Sequence, residues 1–266
     1  MKIGIVGCAG RMGRALIAEI ASTPGARFAG GIERLGSEFL GKDAAAVAGL
    51  EPMGLIVGSD AKALFAASDA IVDFTAAAAV PVHAALAAET GRALVVGTTG
   101  LDAAQQAAVE KAATRIAVVQ AANMSIGVNL LLGLTRQVAA TLGADYDIEI
   151  VEMHHRHKVD APSGTALALG RAAADGRGVR LDDVAQRTRD GLTGPRRKGD
   201  IGFATLRGGD VVGEHSVIFA ADGERLEIVH KASSRTVFAR GAIRAALWTA
   251  GRKPGLYSMK DVLGLG

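Results

Sequence analysis

The run KIGIVGCAGRMGR constrains this chain more than any other stretch. Lys2 to Gly7 reads as a buried strand, and RMGRALIAEIAS as the helix that follows it. Between them stand Gly7, Gly10 and Gly13, with Cys8, Ala9, Arg11 and Met12 filling a G-x-x-G-x-x-G pattern. A turn of this kind brings backbone N–H groups up to a pyrophosphate, and side chains would block that approach. The helix N-terminus then faces the negative charge. An acid is expected about 20 residues further on, to accept the ribose hydroxyls. Glu33 stands twenty positions after Gly13, at the end of the next apolar run, and Arg34 follows it. A carboxylate there repels a 2′-phosphate and argues for NAD. The arginine argues for tolerance of NADP, so use of both NADH and NADPH is expected. The spacing departs from the usual G-x-G-x-x-G, and a plain glycine-rich turn is the competing reading.

Further strand-like runs follow at Arg27 to Glu33, Ala70 to Thr75, Ala93 to Gly100 and Arg115 to Asn123, with alanine-rich helical stretches between them. Strands alternating with helices imply βαβ units and a parallel sheet. Such sheets bind ligands beyond the carboxyl ends of their strands. That places Asp73-Phe74-Thr75, Gly97-Thr98-Thr99-Gly100 and Ala121-Ala122-Asn123-Met124 on the rim of a cofactor crevice. After Met124 the character changes. SIGVNLLLGLTRQVAATLG is a long apolar-rich helix and DIEIVEM a strand. Later β-type runs are separated by Gly208-Gly209-Asp210 and Asp222-Gly223, both hairpin signals. An antiparallel sheet in a second unit of α+β type is expected. The tail returns to helical spacing and could pack back on the first unit.

The 266 residues carry a net charge of +3, with no basic block or aromatic-interleaved patch, so no nucleic-acid partner is expected. No run of about 18 apolar residues predicts a membrane span. The N-terminal residues lack a signal-peptide pattern, and a cytoplasmic location is expected. Cys8 is the one cysteine and forms no internal disulfide; its thiol could confer sensitivity to thiol reagents.

The stretch EMHHRHKVDAPSGTALALG packs three of the six histidines into four positions. It admits four readings: a metal site, an acid–base site, an anion clamp or a solvated loop. His154, His155 and His157 have the wrong spacing for one helical face, which argues against zinc, and no metal is expected. Pro162-Ser163-Gly164-Thr165 precedes a helical run, with Ser163 as its N-cap. Free N–H groups, the helix dipole and two hydroxyls suit a carboxylate. His154 and Lys158, four apart beside that nest, suit proton transfer. Together they fit reduction of a carboxylated C=C or C=N system, hydride arriving from one side and a proton from the other. The basic loop Pro195-Arg196-Arg197-Lys198 reads as a solvated turn, with steering of an anionic substrate as the alternative.

Gly7 to Arg14, Gly97-Thr98-Thr99-Gly100, Ile201 to Ala204, Gly213-Glu214-His215, His230 to Arg235 and above all His154 to Ala166 resemble the 4-hydroxy-tetrahydrodipicolinate (dihydrodipicolinate) reductase family over nearly the whole chain. The resemblance implies a Rossmann-type parallel-sheet dinucleotide-binding domain from residues 1–125 and 236–266. It implies a smaller α+β substrate and oligomerisation domain from 126–235, joined into a homotetramer. It implies a place in the diaminopimelate route to lysine. His154 falls on the acid–base position and Lys158 on the proton donor. His155, Ser163, Gly164 and Thr165 fall on the contacts to a small dicarboxylate. Gly7, Cys8, Ala9, Gly10, Arg11, Met12, Glu33, Arg34, Gly97, Thr98, Thr99, Ala121, Ala122, Asn123 and Met124 fall on cofactor positions. Met124 stands where an aromatic residue is common, which bears on nicotinamide packing. The rivals are a related oxidoreductase acting on another carboxylated imine or enamine, and a non-catalytic dinucleotide sensor, which would not need His154, Lys158 or the nest.

Overall fold

A computed structural model describes residues 1–265. In chain order its elements are β1 (Lys2–Val6), α1 (Arg11–Ser22), β2 (Arg27–Ile32), α2 (Ala44–Val47), α3 (Ala61–Ala67), β3 (Ala70–Asp73), α4 (Val80–Thr90), β4 (Ala93–Val96), α5 (Ala103–Ala113) and β5 (Ala117–Gln120). There follow α6 (Ile126–Leu142), β6 (Asp147–His154), α7 (Gly164–Gly176), α8 (Leu181–Val184), β7 (Ala185–Gln186), β8 (Ile201–Arg207), β9 (Gly213–Ala221), β10 (Glu224–Ala232), α9 (Thr236–Trp248), β11 (Gly255–Tyr257) and α10 (Met259–Leu263). The chain divides into two compact units: Met1–Ile126 with the chain from Arg235 onward, and Gly127–Ser234.

The first unit is a parallel sheet in the order β11-β5-β4-β3-β1-β2. A single parallel bridge from Ile32 to Gly58 extends it beyond β2. Successive residues of a strand point to opposite faces, and here both faces are covered. Val72, Val95 and Val119 join one core with Leu16, Ile17 and Ile20 of α1 and Ile243 of α9. Ile71, Leu94 and Val118 join the other, with Phe65 of α3, Ala84 of α4 and Val109 of α5. Burial on both sides explains why these strands are short uninterrupted apolar runs. The direction of winding reverses between β1 and β3, and the crevice of such a sheet opens at that point, beyond the strands' carboxyl ends.

The second unit is a five-stranded sheet in the order β10-β9-β6-β8-β7. It is mixed, which corrects the antiparallel expectation: β8 runs parallel to β6 and to β7, while β9 is antiparallel to β6 and to β10. Asp222-Gly223 does close a hairpin, β9 to β10, with Gly223 in the left-handed region. Gly208-Gly209-Asp210 does not. β8 and β9 flank β6 on either side, so this loop crosses over the end of β6, where Gly208 N–H donates to the His154 carbonyl. A glycine pair marks a change of direction; it does not say which strand the chain joins next.

One face of the mixed sheet is packed. Ile148 and Ile150 of β6, Ile201 of β8, Val217 and Phe219 of β9, Leu131 and Ala139 of α6, and Leu169 and Ala173 of α7 form its core. The same row on each strand turns polar at one end. On β6 it continues as Glu152 and His154, on β8 as Thr205 and Arg207, and on β9 as His215. The register pairs Glu152 with Thr205 and His215, and His154 with Arg207.

The basic loop lies at the other end of β6. Arg196 donates to Asp147, Glu149 and the Ile148 carbonyl; Lys198 pairs with Asp145 and Arg197 with Asp200. Seven residues of strand, about 23 Å, separate Asp147 from His154. Arg196 is therefore a clamp on the start of β6, while Arg197 and Lys198 are 72% exposed, in keeping with a solvated turn.

Candidate active site

In the first unit the glycine turn is built by backbone geometry. Gly7 sits at φ 71°, the left-handed region open to glycine. A Cβ on Gly13 would fall 2.3 Å from the Gly7 carbonyl oxygen, so α1 lies directly on the turn. Gly10 caps α1 without a side-chain hydrogen bond, leaving its first-turn N–H groups directed at the turn. Glu33 Oε1 accepts from Ala9 N–H at 2.8 Å, which ties the end of β2 to the turn. Ala9, Gly10, Glu33, Arg34 and Phe39 line a cavity of about 340 Å³. Arg14 lies over the Phe39 ring at 5.0 Å and donates to the Ala9 carbonyl.

Cys8 does not face this cavity. It is buried, its sulfur packs against Gly31, and burial together with the Glu33 charge pushes the thiol up to about 12. Reactive thiols are exposed and acidic, so the expected thiol sensitivity is not supported. Cys8 offers the turn only its backbone.

A second cavity, of about 330 Å³, is lined by Arg11, Met12, Phe74, Ala122, Asn123, Met124, Arg235 and Phe238. Met124 borders it from within the core, only 1 % exposed. Gly97 stands where a Cβ would strike the Phe74 ring, and Thr99 is exposed beside it. Thr98 is turned inward, its hydroxyl donating to Asp73 Oδ1 at 3.2 Å. Asp73 is fully buried and also accepts from Thr75 N–H and Oγ1, while His83 Nδ1 lies 2.7 Å from its other oxygen. Burial pushes its pKa up, but pairing with His83 and the Thr75 bonds outweigh this and hold the carboxyl below its usual range. Phe74 lines this cavity, as its rim position leads one to expect, whereas Phe238 and His83 had no assigned role in the sequence. Their neighbours come from distant parts of the chain.

In the second unit, His154 ends β6 nearly buried, its Nδ1 2.5 Å from Glu152 Oε2. Glu152 is 1 % exposed and also receives both Nη atoms of Arg207 at 2.8 and 2.9 Å and the Ser163 N–H at 3.0 Å. Burial pushes this carboxyl up; Arg207, His154 and Ser163 more than reverse that. Burial lowers the His154 pKa, and the Lys158 and Arg207 charges add to the lowering, against the opposing pull of Glu152. His215 meets His154 edge-on at 5.1 Å and contacts Ser163 Oγ at 3.1 Å. Burial first, then the neighbouring His154, lower its pKa to about 4.

Ser163 caps α7 as expected, accepting from Ala166 N–H, so both its polar atoms are engaged behind the helix end. Gly164 and Thr165 begin the helix. Lys158 lies on the loop after β6 with Nζ 2.7 Å from Asp160 Oδ1, and Arg207 reaches the Asp160 carbonyl. His155 is half-buried, its Nδ1 without a hydrogen-bond partner among the described residues; His157 is exposed, its ring 6.3 Å from that of His155. His154, Lys158, Ser163 and the start of α7 are thus brought together. Glu152, Thr205, Arg207 and His215 complete the cluster and had no assigned role in the sequence. The available signal was period two: a glutamate two residues before His154 shares its buried face. Among the described residues no three His, Cys, Asp or Glu side chains converge as a metal centre. No helix among them is long and apolar enough to cross a membrane.

A phosphate-binding turn under a parallel sheet, with a separate unit carrying a buried acid–base cluster, is the plan of a dinucleotide-dependent oxidoreductase. Residues 1–124 match the family model described as dihydrodipicolinate reductase, N-terminus, and residues 127–263 match its C-terminus. The 4-hydroxy-tetrahydrodipicolinate reductase of Afipia carboxidovorans is 56% identical over 266 residues, covering 100% of this chain and 98% of the relative. That of Ruegeria pomeroyi is 55% identical over 263 residues, covering 99% and 98%. A dipicolinate-bound dihydrodipicolinate reductase from Paenisporosarcina superposes with a TM-score of 0.79 at 21% identity, covering 98% of each chain. An amine dehydrogenase from Mycobacterium smegmatis reaches 0.60 at 11% identity, covering 97% and 95%, a likeness of fold alone. The chain belongs to the dihydrodipicolinate reductase family.

Proposed function

We propose that this chain reduces 4-hydroxy-tetrahydrodipicolinate to tetrahydrodipicolinate with NADH or NADPH, in the diaminopimelate route to lysine. The observation that carries the reading is His154 and Lys158 on one strand end and its loop, beside the capped start of α7. The turn of the first unit suits a dinucleotide: a Cβ on Gly13 would fill the space its backbone uses. Gly7 to Met12 would hold the pyrophosphate, Glu33 and Arg34 the adenosine ribose. Gly97 to Thr99 and Ala121 to Met124 would border the nicotinamide. The dinucleotide supplies a hydride to the substrate ring.

The protein's own groups do the rest. Lys158 assists loss of the ring hydroxyl as water and clamps a carboxylate. His154 protonates the enamine left once hydride has been added to the dehydrated ring. Gly164 and Thr165 at the N-terminus of α7, with His155, receive carboxylate oxygens, since a helix start presents N–H groups and a positive dipole end. Ser163 shapes that turn from behind. His157 supports the loop.

The test is a coupled assay in which a synthase makes the substrate from pyruvate and aspartate semialdehyde. Oxidation of both NADH and NADPH is expected; a folded protein that oxidises neither ends this reading. Lys158→Ala is expected to lower kcat by about 10²–10⁴-fold, the usual worth of a positioned proton donor, with NADH affinity near wild type. Unchanged turnover would remove Lys158 from the mechanism.

A homotetramer is supported by the uncovered face of the mixed sheet. Val151, Met153, Leu206, Ile218 and Val229 share that face by register, and Leu206 is 50% exposed. A second copy of the sheet is the partner this surface fits. The buried single cysteine and the metabolic role support a cytoplasmic setting.

A further inference from the structure

We propose that Glu152 and Arg207 are positioning residues for the proton transfer assigned above to His154: the carboxylate holds Nδ1, leaving Nε2 to exchange the proton, and the guanidinium locks that carboxylate to the loop carrying Lys158. The inference rests on the functional reading given above. Glu152 lies on the packed face of the sheet, where an ionised carboxylate is costly unless fully paired. It is fully paired: Arg207 approaches it as a two-pronged fork, Ser163 N–H donates to it, and His154 Nδ1 lies at 2.5 Å. A carboxylate is an acceptor only, so the neutral histidine places its proton on Nδ1. Nε2 then lies beside Gly213, where a Cβ would stand 3.0 Å away, so the residue that flanks the exchanging nitrogen has no side chain.

Arg207 does a second thing. The Nη2 that donates to Glu152 also donates to the Asp160 carbonyl at 2.7 Å, and the Asp160 carboxylate holds Lys158 Nζ. One guanidinium therefore sets the spacing between the strand that carries His154 and the loop that carries Lys158. The charged and titratable groups facing His154 are Glu152 on its own strand, Arg207 on β8, His215 on β9 and Lys158 on the loop. Of these only Glu152 is negative. Its neutralisation destabilises the imidazolium and moves the His154 limb of the pH profile to lower pH.

The test pairs kinetics with side-chain 15N NMR of the histidines in the full chain. Wild type is expected to show neutral His154 protonated on Nδ1. Glu152→Gln is expected to lower kcat by about tenfold or more, up to the ~10²–10⁴-fold that a positioned acid–base group itself contributes. NADH affinity stays near wild type, the profile shifts to lower pH, and the Nδ1–H signature weakens. Should Glu152→Gln fail to fold, Arg207→Lys keeps the charge but loses the fork, and is expected to lower kcat with NADH affinity retained. A loss of kcat with tautomer and pH profile unmoved would mean a merely structural role and overturn the proposal. So would an Nε2–H tautomer in active wild type. A wild type that oxidises no cofactor with this substrate overturns the functional reading and its consequence here together, whatever the tautomer.

Discussion

His215 shows how a buried residue makes stability depend on pH. Burial holds its pKa at about 4 against an ordinary 6.5, so the native state resists protonation that the unfolded chain accepts. Between those values the unfolded state binds more protons, and stability rises with pH. The contribution is complete above about pH 6.5 and is lost as pH falls toward about 4. One such group accounts for up to about 1.4 kcal/mol per pH unit. His154 and His230 are lowered too, chiefly by burial, and act with the same sign. Urea midpoints measured across this range should fall on acidification, and His215→Gln should flatten the fall. An unchanged slope in that variant would place the acid sensitivity elsewhere.

The element that matters most to the second unit is the start of α7. Its N-cap serves three purposes at once: Ser163 Oγ satisfies Ala166 N–H and meets His215, and its N–H donates to Glu152. A capping serine replaced by alanine costs about 0.5–2 kcal/mol. Ser163→Ala should therefore lower the melting temperature by a few degrees, and it leaves His215 Nε2 without its partner in a buried site. We expect a cost toward the upper end of that range, because an unsatisfied buried group adds to the lost cap. A loss no greater than that of an exposed cap would show that water replaces the hydroxyl. The polar ends of β6, β8 and β9 carry the same lesson. Each strand is apolar where it underlies α6 and α7 and polar where α7 begins, so one period-two row supplies both core and site.

At the scale of the whole molecule, the first unit is closed on both faces of its sheet and the second is not. Its open face mixes exposed Leu206 and Val229 with Glu214, Glu227 and Lys231, and is the surface that the proposed homotetramer would bury. Leu206→Glu, on that face near the end of β8, should break the proposed tetramer into smaller species by light scattering while the far-ultraviolet CD spectrum stays native. A tetramer that survives this change would show that copies meet through another surface. The composition gave no hint of this face, because alternating strand residues look alike whether they meet a helix or a second sheet.

Much was legible in the chain itself, for a local reason. A glycine at positive φ, a serine before a helix and an apolar strand run are each determined within a few residues, so Gly7, Ser163 and the strands of the parallel sheet could be named from sequence. The density of motifs from His154 to Thr165 also pointed to the family. The tertiary structure decided what those residues touch. Arg207 reaches Glu152 across 55 positions and Ser163 reaches His215 across 52. Those meetings depend on β8 and β9 flanking β6 in one register, and a shift of a single residue would turn every partner to the other face. Nothing within a short window specifies that register. It is set by packing of Ile148, Ile150, Phe203 and Phe219 beneath α6 and α7, and the acid–base cluster is where that packing ends.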